Sequence, residues 1–484
     1  MRRYSPVEGV HASDKKTNNA MKPITYLTIG IISAFCTHSS NAMTNNNFNL
    51  NNKFEHHNPL GSSDDTDGGG GPGSGGKWSF RSSGVWNQFG RSKDNGGRIN
   101  QIGPIGGLTA MIQLVPSISG SIGSEVGVLN DKDGDNVVSS YDPYLHMFDN
   151  AGNHKGVWNF PVASGCRAVP YVDLAQPYIY TGAESGGLYE VHVDKTTSPY
   201  TMSTAVSDAS VGTIETSPAL AADRTLYVSE QWGDVHRYDI QPLSHKATYS
   251  LGEVITGAIA LYDVTSAYPN EEVVVATKSG NVYVLSHDLS TLITSNTAGS
   301  SRGDQYYGGA TVAKGSLSNP VVIVGVTTDS TGTSYTGNLR AIDLVTGSIL
   351  WESIPSGTSV RDGSQQIEAS VSLLNSAFFG NKDIAVAVST DGNLYGFNTL
   401  TGAELWSYAM SDAGRGAPAV GRFNGVYVVD GQEHLHVVMG TTGSSVYTDT
   451  SMYIGSAGYV GKTIIGQGNN LAVGTGVSAY LLIP

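Results

Sequence analysis

From residue 107 to the end, the chain alternates short apolar runs with turns rich in Gly, Asp, Asn and Ser. One unit recurs. An apolar run is followed by a turn, then by a second apolar strand carrying Leu or Val, an aromatic residue or His, and often an Asp. Its clearest copies read VVATKSGNVYVL, VAVSTDGNLYGFN and IYTGAESGGLYEV. The residue that anchors the second strand falls at Leu145, Leu188, Val235, Val282, Leu339, Leu394, Leu435 and Ala479, at intervals of 41 to 57 residues. Three positions further on stand Phe148, Val191, Tyr238, Leu285, Ile342, Phe397, Val438 and Leu482. A repeat of this length built from strands and turns predicts a β-propeller. Alternate residues of a strand face opposite sides, so nearly continuous apolar runs predict sheets covered on both faces. The expected fold is all-β: an eight-bladed β-propeller of four-stranded antiparallel blades, or seven blades if the copy at 425–440 is incomplete. The last copy reaches Pro484 with room for only three strands. The run GLTAMIQLV at 107–115 is therefore expected to supply the fourth and close the ring, which removes free sheet edges.

Composition agrees with many short strands. The 484 residues include 61 Gly, and only 14% are charged. The net charge of −14, with no basic run longer than three residues, argues against nucleic acid and against adsorption to an anionic membrane. Residues 21–42, MKPITYLTIGIISAFCTHSSNA, have the order of a secretory signal: Lys22, an apolar core from Ile24 to Phe35, and the small-x-small Ser40-Asn41-Ala42. The core is too short to span a bilayer, which takes about 20 residues. Residues 1–20 are polar, which points to Met21 as the start of translation. Cys36 is removed with the signal or, alternatively, carries lipid. Either way Cys166 is left without a cysteine partner. Residues 43–77 are Asn-rich, then acidic, then GGGGPGSGG, and are expected to form a disordered tether. The domains expected are thus 1–42 (extension and signal), 43–77 (tether) and 78–484 (propeller).

Two copies of the unit are nearly complete, GNLRAIDLVTGSILW at 337–351 and GNLYGFNTLTGAELW at 392–406. Trp158 ends a third, and SGVWNQFGR at 83–91 opens the domain with Trp86, Phe89, Gly90 and Arg91. This sequence resembles the pyrroloquinoline-quinone-type (quinoprotein-like) β-propeller repeat family, which includes the outer-membrane-assembly propeller proteins. The resemblance spans about residues 83–484. It implies Thr346-Gly347 and Thr401-Gly402 at hairpin turns, with Trp351 and Trp406 filling the gap between blades. It also implies three functional readings. The first is an exported, non-catalytic scaffold in the bacterial envelope or outside it, binding a protein or ligand. The second is a quinone-dependent dehydrogenase, whose usual vicinal disulfide this chain has no adjacent cysteines to form. The third is a secreted carbohydrate-binding or adhesive propeller. The first is preferred: not an enzyme, pyrroloquinoline quinone not expected, a protein or glycan surface as partner, no transmembrane segment, and a periplasmic or extracellular location.

The candidate metal site is NDKDGDNVVSSYD at 130–142. Asp131, Asp133 and Asp135 have the alternating carboxylate spacing of a calcium loop. Val137 would add a carbonyl, Ser139 a hydroxyl or water, and Asp142 a closing carboxylate. A polar hairpin turn is the alternative for the same residues. The residues after the anchors are His146, Tyr189, His236, Tyr283, Arg340, Tyr395, His436 and Tyr480. The three histidines fall in different blades, so one ion cannot hold them, and interblade packing is the expectation. His434 and His436 share a strand face, but no third ligand is evident beside them. Arg302-Gly303-Asp304 spells an adhesion tripeptide, a match short enough to arise by chance.

Overall fold

The structure is a computed structural model. It describes residues 108, 110–114, 128–139, 143–161, 165, 168–262, 271–300, 303–313, 319–328, 339–353, 366–374, 384–412, 414, 416–421, 424–432, 434–449, 460–465, 470–475 and 479–483. The expected signal, the tether and the Trp86–Arg91 segment lie outside these residues. Among the described residues no helix is long and apolar enough to cross a membrane.

The strands form eight four-stranded antiparallel sheets, the blades of an eight-bladed propeller. From the inner to the outer strand, the first blade is Val128–Asn130, Asn136–Ser139, Tyr144–Phe148 and His154–Asn159. The second is Tyr171–Val172, Tyr178–Gly182, Leu188–Asp194 and Thr201–Asp208. The third is Ala219–Leu220, Thr225–Ser229, Asp234–Asp239 and Ser244–Ser250, and the fourth Ala260–Tyr262, Glu272–Ala276, Val282–Leu285 and Leu292–Asn296. The fifth is Thr311–Ala313, Val321–Gly325, Leu339–Asp343 and Ile349–Ser353, and the sixth Ser372–Leu373, Ile384–Val388, Asn393–Asn398 and Glu404–Ala409. The seventh is Ala419–Val420, Gly425–Val429, Leu435–Met439 and Ser444–Asp449, so the copy at 425–440 is a complete blade.

The eighth blade takes Val460–Ile465, Leu471–Thr475 and Ala479–Ile483 from the C-terminal end and Ala110–Gln113 from the start of the domain. Ala110 pairs with Ile483, Met111 with Leu482, Ile112 with Leu481 and Gln113 with Tyr480. The expected closing strand is therefore in place, and the ring is joined by backbone hydrogen bonds between its two ends.

All eight anchors lie on the third strands and are buried. These strands are covered by the blades on either side, so each apolar side chain leaves water whichever way it points. At roughly 25 cal/mol per Å² of apolar surface removed from water, this burial is the main favourable term in the fold.

Seven blades share a feature invisible in the repeat. The register between third and outer strands shifts between the second and third residues after the anchor. In the fifth, sixth and seventh blades the residues passed over by this bulge are Leu350, Leu405 and Val446. All three are exposed. A bulge leaves one residue unpaired and increases the local twist.

Candidate functional site

The aspartate turn joins the inner two strands of the first blade. Asp131 Oδ1 accepts hydrogen bonds from the backbone N–H groups of Asp133 and Asp135, each at 3.0 Å. Gly134 takes the left-handed geometry (φ 86°) that lets the turn close. The three expected carboxylates do come together, and the group between them is the ammonium of Lys195. It contacts Asp131 and lies 2.8 Å from both Asp133 Oδ2 and Asp135 Oδ2. Lys195 comes from the turn between the third and outer strands of the second blade, so the cluster ties two blades together. Tyr200 donates to Asp135 Oδ2 at 3.1 Å and places its ring 5.5 Å from the Lys195 ammonium.

Burial pushes the Asp131 carboxyl up despite Lys195. Burial opposes the charge on Lys195, but hydrogen bonds to Asp131, Asp133 and Asp135 outweigh it and raise its pKa. Val137 is buried in the second strand, and the Ser139 hydroxyl donates to the Ala168 carbonyl at 3.2 Å. Asp142 lies outside the described residues.

The column after the anchors forms polar contacts inside the ring. Tyr283 donates to Glu253 Oε1 at 2.7 Å, and Tyr395 to Asp391 Oδ2 at 2.7 Å. Buried Arg340 contacts the Tyr306 hydroxyl and pairs with Asp304 and Glu352. Asp304 is thereby committed inside the protein, which leaves the adhesion tripeptide without an accessible carboxylate; Arg302 lies outside the described residues.

Two of the three column histidines sit in matching constellations on hairpins joining second to third strands. In the third blade His236 Nε2 lies 2.9 Å from Glu230 Oε1, with Asp234 in the same group. In the seventh, His436 Nε2 lies 3.0 Å from Asp430 Oδ2, with His434 beside it. The absence of a third ligand near His434 and His436 is thus corrected: Asp430 comes from the opposite arm of the hairpin. Burial pushes Asp430 up, but bonds from His436 and the His434 backbone N–H outweigh it and hold its carboxyl below the usual range. Sequence carried a signal for both acids, since Glu230 and Asp430 each precede their histidine by six positions.

The third-blade hairpin also presents Trp232, 67% exposed and the most exposed large apolar side chain among the described residues. Its support is rigid. Gln231 N–H donates to Thr213 O at 2.8 Å, and Ile255 N–H to Gln231 O at 3.0 Å, so the turn is fastened to the connections on both sides. Glu230 Oε1 accepts from Gly212 N–H at 2.7 Å as well as facing His236. Gly233 has φ 103°, and a Cβ there would lie 2.5 Å from Glu253 O.

Residues 250–451, the span of the fourth to seventh blades, match the family model described as outer membrane protein assembly factor BamB. No curated protein matches the chain in sequence. Among solved structures, BamB from Moraxella catarrhalis aligns with TM-score 0.53 and 15% identity, covering 77% of this chain and 97% of its own. A europium-containing methanol dehydrogenase aligns with TM-score 0.57 and 11% identity over 83% of this chain and 98% of its own. Quinohemoprotein alcohol dehydrogenase from Comamonas testosteroni gives TM-score 0.54 and 12% identity, over 83% and 82%. Identities this low establish the shared fold and leave the chemistry open. The repeat matched across four blades and the propeller fold shared with these proteins support a pyrroloquinoline-quinone-type propeller repeat family.

Proposed function

We propose that this chain is an exported, non-catalytic propeller that binds a protein partner in the bacterial cell envelope, through the hairpin face that carries Trp232. The observation that supports this reading most is the exposure of Trp232 on a turn pinned from both sides. A large aromatic side chain held in water on a rigid support costs little ordering entropy when a partner covers it, and tryptophan is enriched among residues that dominate binding energies. The matched family model is named for a factor in outer membrane protein assembly, which fits a protein partner. The signal-like order of residues 21–42 supports export.

The test is co-purification of envelope proteins with tagged wild type and with Trp232→Ala. A specific protein retained by wild type should be weakened by about 2 kcal/mol or more in the variant, roughly 30-fold in affinity. Retention unaffected by the substitution removes this face from the reading. Dye-linked alcohol oxidation after addition of pyrroloquinoline quinone and calcium would replace the scaffold with an enzyme.

A further inference from the structure

We propose that Asp430, His434 and His436 form a binding site for one divalent transition-metal ion of the zinc class. Each residue offers one ligand atom, and the three atoms lie within 4.8 Å of one another. Asp430 Oδ2 is 3.0 Å from His436 Nε2 and 3.5 Å from His434 Nδ1. Donor atoms around a tetrahedral zinc, each about 2.0–2.2 Å from the metal, stand about 3.4 Å apart. The protein therefore already holds these atoms near the spacing the ion requires.

Surrounding groups aim the ligands. Asp430 Oδ1 accepts from the backbone N–H groups of Gln432 at 3.0 Å and His434 at 2.9 Å, which fixes the carboxylate and turns Oδ2 toward the imidazoles. Ser411 N–H also donates to Oδ2, at 3.1 Å. The far nitrogen of His436, Nδ1, lies 3.1 Å from the Tyr408 hydroxyl, which is itself 3.2 Å from Thr448 Oγ1. A hydrogen bond at the outer nitrogen orients a ligating imidazole and selects its tautomer.

The second, independent observation is His434 Nδ1. This atom is buried, points toward Asp430 Oδ2 and makes no hydrogen bond. Buried polar atoms are nearly always satisfied, and an ion bound between the two imidazoles and the carboxylate would supply the missing partner. Two imidazoles with one carboxylate favour zinc, nickel or copper over calcium or magnesium. Three protein ligands leave a fourth tetrahedral position for water or for a donor from a bound molecule. The equivalent third-blade group, Glu230, Asp234 and His236, has one imidazole and two carboxylates. Its preference for such metals is correspondingly weaker, so the seventh blade is the assigned site.

The experiment uses full-length protein freed of metal with chelator, then equilibrated with zinc and passed over a desalting column. Wild type should retain one zinc per chain more than His434→Ala, and zinc should raise the melting temperature of wild type alone. His434 also packs its ring against His436 and faces Asp430, so the zinc-induced shift of each protein is read against its own melting temperature in chelator. His434→Gln provides the same comparison with a side chain closer in size. Tyr408→Phe should weaken zinc binding about 10-fold, as loss of an orienting group does. Equal zinc retention in wild type and both His434 variants, or an equal zinc-induced thermal shift, overturns the assignment.

Discussion

Gly402 stands where a Cβ would lie 2.5 Å from Cε3 of Trp351, across the boundary between the fifth and sixth blades. Gly443 meets Trp406 in the same way, at 2.8 Å, across the next boundary. Each tryptophan also donates its indole N–H to the blade that follows, Trp351 to Thr399 O at 2.9 Å and Trp406 to Gly440 O at 2.7 Å. The pairing of Gly with Trp in the repeat is thus a docking contact between consecutive blades, in which the missing side chain makes room for the ring.

This contact predicts the cost of two substitutions. Gly402→Ala meets both a left-handed backbone (φ 69°) and the Trp351 ring. Gly252→Ala meets a similar φ of 68° with open space around it. The exposed site should lose about 1–2 kcal/mol from backbone strain alone, and Gly402→Ala should lose about 1–3 kcal/mol more from overpacking. Denaturant unfolding of the two variants beside wild type measures the difference.

The Lys195 cluster predicts how calcium acts on the first blade. If the ammonium is the cation held by the carboxylates, Asp131→Asn should lower the melting temperature equally in calcium and in chelator. A loss seen only with calcium present would mean that calcium displaces Lys195.

Asp149 gives a prediction in acid. Burial pushes its carboxyl up, but hydrogen bonds from Asn153 and Lys155 outweigh this and hold it at about 2, below its ordinary 3.8. A depressed carboxyl stabilises the fold above the unfolded value, and that contribution disappears as pH falls through the folded value. Asp149→Asn should therefore be less stable than wild type at pH 5, and the gap should close as pH falls from about 3.8 toward 2. Urea unfolding across that range tests the sign.

The ring closure predicts an asymmetry between two truncations. Removing residues 1–77 should leave the melting temperature unchanged. Removing residues 1–114 takes away Ala110–Gln113 and exposes the edge at Ala479–Ile483. The shorter protein should melt at markedly lower temperature and self-associate, because an unpaired strand edge recruits other chains. Thermal melts with light scattering distinguish the two.

The propeller was legible because each third strand is covered on both faces, so its anchor and the residue three positions later must be apolar in every copy. The closing strand could be located because the last copy lacked a fourth strand. The functional features were harder to read for a physical reason: they depend on how blades and hairpin arms meet. Lys195 reaches the aspartate turn from another blade, and local spacing around Asp131 could suggest carboxylate convergence but not the partner. Asp430 joins His434 and His436 only after the hairpin folds back. Leu350, Leu405 and Val446 are exposed although apolar, because the bulge that passes over them depends on how the third and outer strands pair.

The most direct test of the binding account places a photo-crosslinking amino acid at position 232 in the otherwise intact chain, produced in its own cells. A control chain carries the same group at position 246, on the outer strand of the same blade. The account predicts a discrete crosslinked envelope protein at 232, absent at 246. No adduct at 232, or the same adducts from both positions, would contradict a partner docked on the Trp232 hairpin.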